Sequence, residues 1–156
     1  FLRNLTSGEI VDQLLQVKKA SGKRITNVVF MGMGEPLLNY DAVMTAADII
    51  AGGINIAAKR ITISTAGHAE RIRRMGEERR RFKLAVSLHS AVDETRTGLM
   101  PINRTFGLDQ LMGAVEYYFR QTKQRVTYEV IFFDGVNDGP RDIDRLIAFA
   151  RRVRRP

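Results

Sequence analysis

Apolar residues along this chain recur at two spacings, one suited to helices and one to covered strands. Thr6 followed by Glu9 has the form of a capping box, and Ile10, Val11, Leu14 and Leu15 then recur at helical spacing up to Ser21 and Gly22. That pattern predicts a helix over residues 7–20. Residues 25–31 form a short branched run fit for a buried strand. Val43, Ala46, Ala47 and Ile50 then share one face of a helix over 40–50, which Gly52 and Gly53 stop. The alternation repeats with a strand over 60–64, a basic helix over 69–75 closed by Gly76, and a strand over 82–88 carrying KLAVSLH. An irregular stretch over 90–105 follows, in which Leu99, Met100, Pro101 and Ile102 are the packing residues. Leu111, Met112, Val115, Tyr118 and Phe119 mark a helix over 108–119, residues 126–133 make the most strand-like run of all, and a last helix covers 143–153.

One helix followed by four strand and helix pairs, with no strands joined by a tight hairpin, predicts an α/β fold: a parallel sheet with covering helices. Ligands of such sheets gather beyond the carboxyl ends of the strands. Those ends present GMGEP at 32–36, then Ser64 with Thr65, Ala66 and Gly67, then Ser87, Leu88, His89 and Ser90, and then Asp134, Gly135 and Asn137. Small and hydroxylated residues therefore line one expected mouth.

GMGEP is neither a dinucleotide fingerprint nor a P-loop, because Pro36 stands where the first would enter its helix and the Lys and Ser/Thr pair of the second is missing. Gly32 and Gly34 let a ligand come close to the backbone. Glu35 suits the ammonium of a zwitterionic amino-acid moiety, or else caps the next helix or answers an arginine. His68 and His89 do not have the spacing of a metal site. His89, directly after a covered strand, is the better placed to touch a ligand, and His68 is expected to cap a helix or face solvent. Asp93, Glu94 and Glu129 add carboxylates without fixing an acid and base pair. Tyr117, Tyr118, Phe119 and Phe106 read as core and edge aromatics.

Composition narrows the chemistry. The 156 residues suffice for one compact domain, and no apolar run nears the roughly 20 residues needed to cross a bilayer. Arg and Lys exceed Asp and Glu by 25 to 17, a formal charge of +8 that draws polyanions, RNA or DNA first. The arginines cluster as Arg71, Arg73 and Arg74, as Arg79, Arg80 and Arg81, and as Arg151, Arg152, Arg154 and Arg155. Cysteine is absent, so these residues form no disulfide, no thiolate nucleophile and no cysteine-held iron or zinc site.

The stretches RNLTSGEIVDQ, NVVFMGMGEPLLNYDAV, ITISTAGH, LAVSLHS, LMPINRTF and VTYEVIFFDGVND, in that order, resemble the radical S-adenosylmethionine enzymes that methylate C2 of an adenine in large-subunit ribosomal RNA and, in some members, in transfer RNA. A sister group that methylates C8 of the same rRNA adenine shares much of the pattern. The resemblance spans the chain and implies a partial (βα) barrel of the radical SAM type, truncated at both ends, with residues 1–156 as its central part. It implies S-adenosylmethionine as cofactor, with Gly34 and Glu35 at its methionyl ammonium and Ser64, Ser87, Leu88 and His89 as further contacts. It implies a 4Fe-4S cluster too, whose three cysteines in CxxxCxxC spacing would stand before Phe1. The methyl-carrying cysteine, its partner thiol and a cofactor-binding asparagine would also lie outside the chain. Expected partners are the RNA and an external electron donor in the cytoplasm, and no catalytic or metal-binding residue is expected within the chain itself. After SLH the family continues through a small residue, Pro, Asn and Asp, where this chain has Ser90, Ala91, Val92 and Asp93; no role is assigned to that loop. Charge alone would also fit a noncatalytic basic RNA-binding βα module.

Overall fold

The computed structural model describes residues 2–153, so Arg154 and Arg155 of the last arginine cluster lie outside the described residues. The first helix, α1 (Ser7–Ser21), starts as its capping box predicts. The Glu9 amide donates to Thr6 Oγ1 at 3.3 Å and the Thr6 amide to Glu9 Oε2 at 2.8 Å, while Gly22 closes the helix in left-handed backbone. Strand β1 (Val28–Phe30) follows, then α2 (Tyr40–Gly53), β2 (Ile61–Thr65), α3 (Ala69–Glu77) and β3 (Lys83–Ser87). The chain continues through α4 (Asp93–Leu99), α5 (Leu108–Thr122), β4 (Val126–Glu129) and α6 (Pro140–Arg151).

The four strands pair in chain order, all parallel. Phe30 faces Ile63, Ile63 faces Leu84, and Leu84 faces Val126. This register gives the sheet two unlike faces. Ile61, Ile63, Leu84 and Val86 point to one side and are buried with Ile72 and Met75 of α3 and Leu111, Val115 and Tyr118 of α5. Each aliphatic side chain so buried contributes about 1.5–3 kcal/mol. By alternation, Thr62, Ser64, Lys83, Ala85, Ser87, Thr127 and Glu129 occupy the other side. That is the inner face of an open arc of strands.

Several boundaries differ from the expectations: α2 runs on through Gly52 and Gly53, α3 includes Gly76, and α5 continues to Thr122. Only 28–30 of the expected strand 25–31 pairs with β2, because Met31 already opens the glycine turn. The expected strand over 126–133 ends at Glu129, and Ile131, Phe132 and Phe133 are exposed with no neighbouring strand among the described residues. The irregular stretch holds the short helix α4 and a 3-10 turn at Pro101–Arg104, which apolar periodicity could not reveal because α4 has a single large apolar residue, Leu99. Finally, α6 begins at Pro140 rather than 143, since proline suits the first helical position. No helix among the described residues is long and apolar enough to cross a membrane.

Candidate functional site

The turn after β1 uses both glycines in backbone that side chains rarely adopt, with φ of +117° at Gly32 and +89° at Gly34. It delivers Glu35 to the carboxyl rim of the sheet. Glu35 Oε1 accepts the Leu37 amide at 3.0 Å and so caps the 3-10 turn Pro36–Asn39, while Oε2 accepts the Ala66 amide at 2.7 Å from the loop after β2. The carboxylate thus has the capping role that chemistry allowed for it and joins two strand ends. An ionised carboxylate has about four lone-pair directions, so these two bonds leave room for an ammonium group.

After β2, Ser64 Oγ lies 3.3 Å from Glu129 Oε2 across the inner face, and Thr65 Oγ1 accepts the Gly67 amide at 3.0 Å. His68 departs from expectation. It occupies the position before α3 without a side-chain cap, and its ring lies 4.6 Å from that of Phe106, with a buried Nδ1 unpaired among the described residues.

The end of β3 divides by alternation. Ser87 belongs to the inner face and its hydroxyl has no hydrogen-bond partner among the described residues. Leu88 is buried in the hydrophobic core on the helix side, so the rim receives its backbone rather than its side chain. His89 turns the chain in left-handed backbone at φ +56°. Its Nδ1 accepts the Ile131 amide at 3.2 Å, which in the neutral ring leaves the proton on Nε2, free to donate. Burial first, and the nearby Arg96 charge second, hold its pKa below 6.5 against the pull of Glu129. Asn137 is fully buried and donates to the carbonyls of His89 at 2.7 Å and Ile131 at 2.8 Å, locking the segment after β4 to the end of β3.

Arg96 on α4 joins the remaining strand ends. Its fully buried guanidinium donates to Asn103 Oδ1 at 2.6 Å and to the carbonyls of Ala66 at 2.7 Å, Leu88 at 3.2 Å and Ser87 at 3.5 Å. Asn103 in turn donates to Asp93 Oδ1 at 3.0 Å. Burial pulls the Arg96 pKa down to about 10. The stretch over 90–105, expected to be irregular, therefore ties β2 to β3 through Arg96 of α4. Arg96 and Asn103 escape sequence reasoning, since neither stands in a spacing that sets it apart from ordinary surface polarity, and Glu129 is legible there only as a carboxylate without a partner.

The structure brings Gly34, Glu35, Ser64, Ser87 and His89 to the same end of the sheet. A hollow of about 420 Å³ lies beside the free edge of β1, lined by Met31, Met33, Gly34, Glu35 and Pro36 together with side chains of α1. It reaches Gly34 and Glu35 but none of Ser64, Ser87, Leu88 and His89. A carboxylate with spare lone pairs, a free hydroxyl and an imidazole donor fit the polar end of S-adenosylmethionine. An iron–sulphur cluster does not fit these residues: the chain has no cysteine, and no group of three His, Asp or Glu side chains able to hold a metal occurs among the described residues.

The arginine clusters are not uniformly free for a polyanion. Arg74 bonds Asp41 and Glu78 at 2.7 Å each and lies over the Tyr40 ring, and Arg80 bonds Glu78 and Asp48. These two tie α2 to α3 and to the turn after it. Arg73 pairs with Glu77 and covers Tyr117, and Arg152 reaches Glu116. Arg79 and Arg81 are exposed with no ion pair among the described residues.

Residues 2–149 match the family described as the radical SAM superfamily. The chain is 43% identical over 158 residues to the probable dual-specificity RNA methyltransferase RlmN of Flavobacterium psychrophilum, covering 97% of this chain and 46% of the relative. It is 47% identical to the dual-specificity RNA methyltransferase RlmN of Syntrophobacter fumaroxidans, over 99% of this chain and 46% of the relative. The crystal structure of a radical SAM methyltransferase from Sphaerobacter thermophilus superposes with a TM-score of 0.89 at 40% identity, covering 97% of this chain and 46% of that one. The chain thus spans less than half the length of the relatives it matches, and its arc of parallel strands under helices is the partial βα barrel of their fold. By matched sequence and by shared architecture, this chain belongs to the radical SAM superfamily.

Proposed function

We propose that residues 1–156 are the central part of the barrel domain of an S-adenosylmethionine-dependent radical methyltransferase acting on C2 of an adenine in large-subunit ribosomal RNA, with transfer RNA as a second substrate. The observation that carries this reading is the convergence of Gly34, Glu35, Ser64, Ser87 and His89 on one rim of a parallel sheet. The similarity to dual-specificity RNA methyltransferases supports the same substrate class.

Each residue then has a definite task. Gly34 lets the backbone approach the methionyl group and Glu35 receives its ammonium. Ser64 and Ser87 offer hydroxyls on the inner face, and the Leu88 peptide with His89 Nε2 closes the far side. When bound, S-adenosylmethionine supplies both the methyl group and the reactive fragment that the barrel shields from water. The residues of this chain bind and orient; none of them carries the methyl or holds the cluster. The cluster and the methyl-carrying thiol belong to parts of the protein beyond these residues, and reduction needs an external electron donor. Arg79 and Arg81 are the proposed phosphate contacts, in a cytoplasmic enzyme.

The test uses the full-length gene product purified without oxygen. Iron and sulphide near four each per chain, cofactor cleavage on reduction, and a methyl group mapped to adenine C2 in an rRNA fragment are the expected results. A protein that binds the RNA but holds no iron and leaves the cofactor intact overturns the reading in favour of a noncatalytic RNA-binding module. A methyl group mapped to C8 overturns the position alone.

A further inference from the structure

A buried arginine is costly unless its donors are satisfied. Arg96 has no exposed surface, and three of its four acceptors are main-chain carbonyls, those of Ala66, Ser87 and Leu88. All three belong to the carboxyl ends of β2 and β3. The fourth acceptor, Asn103 Oδ1, holds the fork from behind, and Asn103 is itself fixed by Asp93, whose Oδ1 also accepts the Leu108 amide at 3.2 Å. Asp93 anchors the base of the device through Asn103, and its charge favours the charged form of Arg96 against the effect of burial.

The peptide groups around Ala66 show what this achieves. Glu35 takes the Ala66 amide from one side while Arg96 takes the Ala66 carbonyl from the other. Gly67 follows at φ +109°, and a Cβ there would stand 2.9 Å from the Arg96 fork, so the loop is shaped around the guanidinium. From the Leu88 carbonyl the chain of bonds continues into His89, then to Ile131 and Asn137. One line of hydrogen bonds crosses the rim from the turn after β1 to the segment after β4, and Arg96 is its central member.

We propose that Arg96 is the positioning residue of the cofactor site, setting the spacing between the ends of β2 and β3 so that Ser64, Ser87 and His89 meet S-adenosylmethionine together with Glu35. This rests on the cofactor reading above. A planar fork serves three carbonyls and an amide oxygen at fixed angles, which a lysine ammonium cannot reproduce. A methionine of similar length would fill the space, remove the buried charge and bond none of the carbonyls.

The experiment titrates S-adenosylmethionine into the full-length protein, with its cluster, in an anaerobic calorimeter well below the melting temperature. Arg96→Lys is expected to raise the Kd about tenfold and Arg96→Met by more, while iron content is kept. Both variants are expected to lose stability, the methionine variant through four acceptors left bare and the lysine variant through an imperfectly bonded buried charge, and the loss of affinity is expected to persist at temperatures where each is fully folded. A role in folding alone would make affinity follow melting temperature. Arg152→Lys, on the outer surface, is the control and leaves affinity unchanged. Should both Arg96 variants fail to fold, Asn103→Ala removes the rear support while keeping the guanidinium, and a several-fold loss of affinity is expected. Wild-type affinity in the folded variants overturns the role of Arg96 and leaves the cofactor reading standing, whereas a wild-type protein that binds no S-adenosylmethionine overturns both.

Discussion

Glu35 Oε2 accepts the Ala66 amide at 2.7 Å, joining the turn after β1 to the loop after β2 across 31 positions of sequence. One carboxylate therefore supports the rim and, in the proposed reading, also receives the methionyl ammonium. Glu35→Ala is expected to weaken S-adenosylmethionine binding at least tenfold in the full-length protein, and to lower stability by about 1–3 kcal/mol through the two amides it leaves bare. Glu9→Ala, which breaks the exposed capping box of α1, is expected to leave the affinity unchanged. Equal affinities in calorimetry would reduce Glu35 to a cap.

Gly76 sits inside α3, where alanine would ordinarily gain about 1 kcal/mol of helix propensity. A Cβ there would meet the Tyr117 ring at 2.9 Å and the Tyr118 backbone at 3.2 Å on α5. Overpacking outweighs propensity, and Gly76→Ala is expected to destabilise by about 1–3 kcal/mol. Urea unfolding decides the sign, and a gain in stability would mean that the two helices separate easily.

The outer arginines divide into structural and free ones. Arg80→Ala is expected to lower the melting temperature by a few degrees, since it loosens α2 from the turn after α3. It should not alter how RNA affinity depends on salt. Replacing Arg79 and Arg81 together is expected to flatten the slope of log K against log salt by about 0.7–0.9 for each phosphate that the protein no longer neutralises. The opposite assignment of effects would place the RNA elsewhere.

His89 titrates below its ordinary value because of burial and the Arg96 charge. The unfolded chain therefore takes up a proton at a higher pH than the native one. This contribution to stability is complete above the unfolded value near 6.5 and is lost as pH falls through the lower native value. Denaturation followed as pH falls from 7 should show this slope, and His89→Asn should remove it. A wild-type slope retained in that variant would trace the effect to another group.

Much of the architecture could be read from spacing alone. The branched runs around Ile63 and Val86 are covered on both faces, Ser64 and Ala85 included, while the helical faces around Val43 and Val115 bury one side, and burial is what such patterns record. Alternation within SLH likewise places Ser87 and Leu88 on opposite faces. The run from Val126 to Phe133 reads as too long a strand because β propensity registers residue type and not the presence of a neighbouring strand. Arg96 escapes for a deeper reason. It stands in DETRTGL, a stretch with one large apolar residue, and its burial comes from carbonyls contributed by β2 and β3. No local pattern encodes an arginine whose acceptors are other residues' main chain.

Since all four strands run the same way, the bends that send the chain back into the sheet, among them those at Asn55 and Lys123, fall at the end remote from Glu35 and His89. The molecule is thereby divided into a working pole and a return pole. Reporter peptides or dyes grafted into a return bend would travel with the protein without touching the rim that Glu35 and His89 occupy, which makes that pole the natural handle for a label.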